Sequence, residues 1–207
     1  LKMINLWHVF QQMAHLGVDS LPIISLTLLF AGAVMTLQIT DVLITYGAQS
    51  TVGGLMAVAM GRELGPILVG VVLAGRVGAA ITAEIGTMKV TEQIDALRVM
   101  AVDPVGYLVV PRVVACMVMV PILAFYGVVI GIAGGYFVAT AIKGLAPSTY
   151  LDSIQMFSTI SDFTLGLIKS SVFGAVIALV GAYKGMETKM GAEAVGFSTT
   201  SSVVTSI

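Results

Sequence analysis

Charged residues are scarce in this chain of 207 residues, and their scarcity limits what the protein can be. Only 10% of the residues are Asp, Glu, Lys or Arg, against about 25% in soluble domains. With 57% hydrophobic residues and a mean hydropathy of +1.02, the chain is not suited to face water on all sides. Its net charge of -1 leaves no basic surface for phosphates, which excludes nucleic acid as a partner.

Cysteine and histidine are nearly absent as well. The single cysteine, Cys116, excludes an internal disulfide and is interpreted as a small packing residue. The two histidines, His8 and His15, are interpreted as polar residues of a helix rather than as metal ligands. We find no catalytic constellation and no glycine-rich phosphate loop. No catalytic residue, metal site or cofactor is therefore predicted on this chain.

Long apolar segments predict an all-α membrane protein. A helix needs about 20 apolar residues to cross the hydrocarbon core, and most of these segments are long enough. The last one has 14 residues, about 21 Å of helix, and is predicted to be a span that is cut short. The five predicted membrane helices cover residues 21–46, 55–88, 107–141, 163–183 and 194–207.

The first 20 residues predict a helix that lies in the membrane interface. Apolar side chains, among them Trp7 and Phe10, recur at helical spacing, and polar side chains fall mostly on the other side. The stretch lacks the continuous apolar core of a signal peptide. We therefore expect the first membrane helix to direct insertion, and we treat residues 1–207 as a single transmembrane domain.

Small residues repeat at every fourth position in three apolar segments. This spacing lets helix backbones approach closely inside a bilayer. It indicates either packing within the chain or an interface between subunits, and both remain open. The residues are Gly70, Ala74 and Gly78; Gly127, Gly131 and Gly135; and Ser170, Gly174, Ala178 and Ala182.

A polar segment, residues 84–104, separates two of the apolar segments. Within it, residues 90–101 predict a short helix with Thr91 as its N-cap, Glu92 in its first turn and Arg98 in its last turn. Asp103 and the following proline would end it. The charged residues of the segment are Glu84, Lys89, Glu92, Asp95, Arg98 and Asp103.

This short helix predicts a docking surface for another protein. Ile94 and Leu97 share one side and form an apolar stripe bordered by charge, which suits a groove on a soluble partner. The alternative is that the helix only closes a helical hairpin. The predicted contact residues are Thr91, Glu92, Gln93, Ile94, Asp95, Ala96, Leu97 and Arg98.

Four charged residues lie inside or beside the second apolar segment: Arg62, Glu63, Arg76 and Glu84. At about 100° per residue, an unbroken helix would place Arg62, Arg76 and Glu84 on one face. Ionisable groups at membrane depth usually face protein or water. The face is either the border of a substrate path, where an arginine meets an anionic head group, or a set of structural ion pairs.

Lysine and arginine also predict the orientation of the chain. The loops 86–112 and 184–193 carry five of these residues, whereas the other side offers only Lys143 clearly. The two loops and the N-terminal helix are therefore expected in the cytoplasm. The connections 47–54 and 143–162 are expected outside.

Several motifs follow one another along the chain. They are Gly61-Arg62-Glu63-Leu64-Gly65-Pro66, Ala74-Gly75-Arg76-Val77-Gly78-Ala79-Ala80, Ala83-Glu84-Ile85-Gly86-Thr87-Met88, Glu92-Gln93-Ile94-Asp95-Ala96-Leu97, Asp103-Pro104 and Pro111-Arg112. In this order they resemble the MlaE permease family, the membrane subunit of MCE-type ABC lipid transporters, over most of residues 20–197. One departure follows Gly196, where the family often has a basic residue and this chain has Phe197.

The resemblance implies a homodimeric permease of the bacterial inner membrane that moves phospholipid between the inner and outer membranes. Two cytoplasmic ABC ATPase subunits would bind ATP and Mg and supply the energy. A hexameric MCE-domain protein would bind on the periplasmic side, and some systems add a STAS-domain protein. Residues 92–97 would lie in the coupling helix that receives the ATPase stroke, and Arg62 and Glu63 would lie near the lipid cavity.

Three other functions are compatible with the residues. An ion-coupled transporter or channel would use Asp41, Arg62, Glu63 and Arg76 as its charged path and would need no ATPase. A membrane enzyme acting on lipids would need a convergent acid, base or metal site, which the sequence does not show. A scaffold would hold a partner complex without moving lipid.

Overall fold

The computed structural model describes residues 6–189 and 191–207, and the regular structure within them is helical. The all-α prediction is therefore confirmed. Residues 1–5 of the expected interfacial helix, and the side chains of Trp7, His8, Phe10 and His15, lie outside the described part. The helices are α1 Leu6–Val18, α2 Leu21–Thr45, α3 Gln49–Val90, α4 Gln93–Val99, α5 Val105–Ile142, α6 Pro147–Phe157, α7 Ile160–Met186 and α8 Ala192–Ser206.

Four of the described helices, α2, α3, α5 and α7, are long and apolar enough to cross a membrane. The predicted fifth span corresponds to α8, whose 15 residues are fewer than the roughly 20 that a span needs. Helix α3 begins six residues before the predicted residue 55, at Gln49. The connection 143–162, expected to be polar, contains α6.

Helices α3 and α5 contain π-helical segments, in which the hydrogen bonds run from residue i to i+5. In α3 these segments are Met60–Leu64 and Ala74–Gly78, and in α5 they are Val105–Val109 and Val138–Ile142. A π segment winds more residues into a turn than an α-helix does, so it changes the direction of every side chain that follows. The condition of an unbroken helix, under which Arg62, Arg76 and Glu84 would share one face, is therefore not met.

Contacts divide the chain into two compact units, which we describe separately. The first comprises residues 1–20, 70–120 and 171–207. In it, α8 packs along the last stretch of α3, and Val195 lies against Gly86. The second half of α7 approaches α5 closely, because a Cβ atom on Gly174 would lie 2.6 Å from the carbonyl oxygen of Cys116.

The second unit comprises residues 21–69 and 121–170. Here α2 and α5 meet through glycines, and a Cβ atom on Gly32 would overlap the carbonyl group of Gly131. Gly127 has the side chains of Leu28 and Val69 around it. In both units, small residues of the predicted repeats therefore bring helices of the same chain together.

Helix α6 packs on the beginning of α3 in the second unit. The N–H group of Gly54 donates a hydrogen bond of 3.0 Å to Ser153 Oγ. The Tyr150 hydroxyl donates to the carbonyl oxygen of Ile132 at 3.3 Å, and its ring meets that of Tyr136 edge to face. Burial raises the pKa of the Tyr150 phenol to about 12, so the hydroxyl stays neutral and holds α6 in place.

Candidate functional site: the α4 segment and the charged groups of the long helices

The α4 segment, residues 91–102, joins α3 to α5, and its first residue belongs to the end of α3. The Thr91 N–H and hydroxyl groups both donate to the carbonyl oxygen of Thr87, at 3.0 and 2.8 Å. Glu92 then adopts a left-handed conformation, with φ of 59°, and α4 begins at Gln93. The prediction of Thr91 as the N-cap of α4 is wrong, because its hydroxyl bonds backwards to the helix that it follows.

Helix α4 is held against the first unit by one apolar side chain and one carboxylate. Ile94 is completely buried and Leu97 is half-buried, so the predicted apolar stripe serves packing within the chain. The Asp95 carboxylate lies 3.7 Å from Lys89 Nζ and 3.0 Å from Arg98 Nη1. The segment is therefore bonded to the end of α3.

The apolar side chains that this segment exposes come at the end of α4, after the predicted stripe. Val99 is 88% exposed and Met100 is 64% exposed. Beyond them, the Asp103 carboxylate accepts hydrogen bonds from the N–H groups of Val105 and Gly106, at 3.2 and 3.0 Å. Asp103 thus caps the start of α5. Val99 and Met100 therefore protrude between two helix ends that are both held by hydrogen bonds.

An ion pair joins α3 and α5 beside the α4 segment. Arg112 Nη2 lies 2.9 Å from Glu84 Oε2, and Arg112 Nη1 donates to the carbonyl oxygen of Leu108 at 2.8 Å. Arg112 is only 8% exposed, so the pair offsets the cost of burying its charge. The sequence pointed to Glu84 but not to its partner.

Arg76 lies in the second π segment of α3 and ties this helix to the end of α1. Its Nη1 donates to Ser20 Oγ at 2.6 Å, and its Nη2 lies 3.5 Å from Asp19 Oδ2. Arg76 and Glu84 also line one cavity of about 80 Å³, together with Gln12, Leu16, Val77, Ala80 and Ile81. The two charges share a small cavity, and each has a structural partner.

Arg62 and Glu63 lie in the first π segment of α3, within the second unit, and meet two charged residues of α7. Lys169 Nζ lies 2.7 Å from both oxygens of the Glu63 carboxylate and 3.3 Å from the Arg62 carbonyl oxygen. The Arg62 guanidinium is 3.9 Å from both Glu63 and Asp162. Neither Lys169 nor Asp162 was predicted.

A sequence signal for Lys169 did exist. It is the one charged residue in the middle of the predicted span 163–183, and a lone charge in a span needs a partner. The sequence signal for Asp162 is its spacing from Thr159 near the start of a helix. In the structure its carboxylate accepts hydrogen bonds from the N–H and hydroxyl groups of Thr159, at 3.1 and 2.6 Å. This arrangement is typical of a helix N-terminus.

The charged path of an ion-coupled transporter also divides into local pairs. Asp41 forms an ion pair with Lys143, and the other three residues of that path have the partners given above. Among the residues that the structure describes, no three His, Cys, Asp or Glu side chains come together as a metal site would require. Each charge of this path thus lies beside a charge of opposite sign.

These features are those of a multi-pass membrane protein. It has four apolar spans, paired charges within them and a polar connection held by hydrogen bonds. The family model "Permease MlaE" matches residues 9–207. The chain therefore belongs to the MlaE permease family, a family of ABC transporter permeases.

Curated relatives agree with this assignment. A probable ABC transporter permease protein of Synechocystis sp. is 46% identical over 204 residues, which cover 99% of this chain and 78% of that protein. One from Rickettsia typhi is 41% identical over 198 residues, covering 96% and 76%. Protein TRIGALACTOSYLDIACYLGLYCEROL 1, chloroplastic, of Arabidopsis thaliana is 38% identical over 200 residues, covering 97% and 57%.

Proposed function

We propose that this permease moves phospholipid between the inner and outer membranes of a bacterium, and that an ABC ATPase drives it through the α4 segment. The observation that carries the proposal is the protruding pair Val99 and Met100 on a segment bonded to α3 and α5. Membership of an ABC permease family requires an ATPase partner. A relative named after the lipid trigalactosyldiacylglycerol supports a lipid as the substrate.

The bonds of the α4 segment suit it to transmit a push from the ATPase. A force on Met100 would reach α3 through the buried Ile94 and the Asp95–Lys89 contact. It would reach α5 through Asp103, which caps that helix. Energetic coupling travels through packed and bonded elements of this kind, so the ends of both long helices would move with the segment.

The proposed assembly follows the orientation that lysine and arginine indicate. The protein would lie in the bacterial inner membrane, with the α4 segment and the loop after α7 on the cytoplasmic side. Two ATPase subunits would bind ATP and Mg there, with a STAS-domain protein on the ATPase in some systems. Two copies of the permease would form a dimer, and a hexameric MCE-domain protein would bind on the periplasmic side. We propose no cofactor on this chain.

Among the four candidates for the lipid path, Arg62 and Glu63 have the best support. Their side chains are about half exposed, and the Arg62 guanidinium donates no hydrogen bond to any group that the structure describes. Arg76 and Glu84 are instead bonded to α1 and α5. We therefore place the phosphate of the lipid at Arg62, and assign Arg76 and Glu84 to the stability of the first unit.

Co-purification with candidate ABC ATPases of the same organism tests the docking surface. Met100→Asp puts a charge on the proposed contact, and Met156→Asp makes the same change on α6, where the methionine is 81% exposed. We expect the wild type and Met156→Asp to retain the ATPase and Met100→Asp to lose it, with equal size-exclusion profiles. Retention by Met100→Asp would refute docking on α4. No retention by the wild type would favour the ion-coupled alternative.

A further inference from the structure

The first π segment of α3 presents two charged side chains of opposite sign in very different states. Glu63 is fully engaged, because Lys169 Nζ lies 2.7 Å from each of its carboxylate oxygens. Arg62 is not, because its nearest acidic atoms are 3.9 Å away in both Glu63 and Asp162. The guanidinium carries five N–H donors, and all of them remain available for an anion.

The distances show what Lys169 prevents. A charged N–H···O bond has a length of about 2.7–2.9 Å, so the Glu63 carboxylate needs to move only about 1 Å to bond with Arg62. Lys169 holds that carboxylate from the side of α7, and no described group other than Lys169 donates a hydrogen bond to it. Without the ammonium group of Lys169, the Glu63 carboxylate would accept hydrogen bonds from the Arg62 guanidinium. The N–H groups of Arg62 would then no longer be available to an anion.

The other acid near Arg62 cannot take the place of Glu63. The side chain of Asp162 is only 13% exposed, and its Oδ2 accepts two hydrogen bonds from Thr159 at the start of α7. Its carboxylate is therefore fixed at the distance the structure shows. Closure of Arg62 depends on Glu63, and the position of Glu63 depends on Lys169.

We propose that Lys169 is a positioning residue that keeps Glu63 away from Arg62, so that the Arg62 guanidinium stays open to the phosphodiester of a phospholipid. This inference rests on the proposed lipid path. The π segment supports it, because such segments occur frequently at functional sites. A guanidinium also matches the geometry of phosphate oxygens in two parallel hydrogen bonds, which a closed Arg62–Glu63 pair would replace.

The role can be separated from simple stabilisation by a pair of variants whose thermal unfolding is also measured. Lys169→Met removes the ammonium group and frees Glu63, so lipid binding should weaken. Adding Glu63→Gln removes the carboxylate that would close over Arg62, so binding should return. A stabilising ion pair alone would also be restored in this way, because the double variant removes the unpaired carboxylate. Thermal unfolding of each variant is therefore measured beside lipid binding, and we expect Lys169→Met to bind lipid more weakly at temperatures at which it is fully folded.

The matched control is Lys143→Met, with the double variant Lys143→Met/Asp41→Asn. Lys143 is another lysine of the second unit that pairs with an acid on a different long helix. Loss of this pair should leave lipid binding unchanged. Size-exclusion profiles of all variants check that the membrane core is folded.

The measurement is native mass spectrometry of the detergent-purified permease titrated with phosphatidylglycerol. Diacylglycerol with the same acyl chains, which lacks the phosphate, serves as the reference lipid. For a half-exposed contact we expect Lys169→Met to bind phosphatidylglycerol roughly fivefold to tenfold more weakly. The double variant should come within about twofold of the wild type. Millimolar inorganic phosphate should not compete, whereas competition by it would identify a site for free phosphate and overturn the assignment to lipid.

Besides competition by phosphate, two kinds of result would overturn the inference, and they are distinguishable. If Lys169→Met binds like the wild type, or if Glu63→Gln does not restore binding while Arg62→Gln still weakens it, Lys169 has no positioning role and the lipid path stands. If Arg62→Gln binds phosphatidylglycerol like the wild type, the placement of the phosphate at Arg62 fails, and the inference fails with it.

Discussion

Arg112 and Glu84 are unequal partners in their ion pair, and this inequality leads to a prediction at the scale of the residue. Arg112 is nearly buried, whereas the Glu84 side chain is 43% exposed. Removing one partner of a buried pair leaves the other charge without compensation. The cost should therefore fall on whichever variant leaves Arg112 alone.

We expect Glu84→Leu to destabilise the permease by about 2 kcal/mol, because it leaves a buried guanidinium with only the Leu108 carbonyl as a partner. Arg112→Met should cost about 1 kcal/mol or less, because the remaining Glu84 carboxylate is partly exposed. Thermal unfolding in detergent would measure both, and the double variant Glu84→Leu/Arg112→Met should cost less than the sum. Equal or reversed costs of the single variants would contradict this view of the pair.

At this scale the sequence predicted which residues carry charge inside the spans but not how they pair. Arg62, Arg76 and Glu84 were expected on one face of one helix. In the structure Arg76 bonds to the end of α1, and Glu84 bonds to α5. These partners come from distant parts of the chain, so no local pattern can identify them. Lys169, as a lone charge in an apolar run, and Asp162, near a helix start, gave a usable signal.

At the scale of the element, the ends of α3 and α5 determine where α4 lies. Thr91 lies at the C-terminal end of α3 and bonds back to it. Asp103 caps the N-terminal end of α5 by accepting hydrogen bonds from the N–H groups of Val105 and Gly106. The sequence analysis had placed Thr91 at the start of α4 and Asp103 just after its end. Residues of these types favour helix ends, but the sequence does not show whether such a residue ends one helix or begins the next.

Asp103→Ala should destabilise the start of α5 by about 1 kcal/mol, the usual cost of losing an N-cap. Hydrogen exchange at the Val105 and Gly106 amides should become faster, because their acceptor is gone. The control is Asp152→Ala on α6, an exposed carboxylate that bonds to no group in the described ranges, which should leave stability within about 0.5 kcal/mol. Unchanged exchange in Asp103→Ala would show that the cap contributes nothing.

Helix packing gives a second prediction for the elements. Gly174→Ala places a Cβ atom 2.6 Å from the Cys116 carbonyl oxygen, whereas a Cβ atom on Gly196 of α8 meets no atom within 4 Å. We expect Gly174→Ala to cost about 1–3 kcal/mol through forced separation of α5 and α7. Gly196→Ala should be neutral or stabilising by up to about 1 kcal/mol. Thermal unfolding compares them, and equal midpoints would contradict the close approach.

The helix bounds show how far the periodicity of a sequence can be used. The long apolar runs predicted the four spans, because length and hydropathy suffice for that. Arg62, Arg76 and Glu84 would share one face only on an unbroken α-helix, and the π segments Met60–Leu64 and Ala74–Gly78 change the register of α3. The sequence analysis did not predict these segments, because the apolar periodicity that it used assumes a regular α-helix.

At the scale of the whole molecule, composition and ordered motifs were the strongest predictors. The scarcity of charge predicted a membrane protein, and the motifs between Gly61 and Arg112 predicted the MlaE permease family, which the family model and the relatives confirm. The roles of Met100 in ATPase docking and of Arg62 in lipid binding remain proposals. They predict that ATPase binding depends on Met100 and not on Arg62, whereas phospholipid movement depends on both.

ATP-driven movement of phospholipid in proteoliposomes tests the central claim most directly. The permease would be reconstituted with its ATPase and its MCE-domain partner, and transfer of a fluorescent phospholipid would be followed with ATP and with a non-hydrolysable analogue. We predict transfer with ATP alone, lost in Met100→Asp together with ATPase binding, and lost in Arg62→Gln with ATPase binding intact. Equal transfer with the analogue, or transfer by Met100→Asp at the wild-type rate, would contradict the claim that an ATPase on the α4 segment drives lipid through this permease.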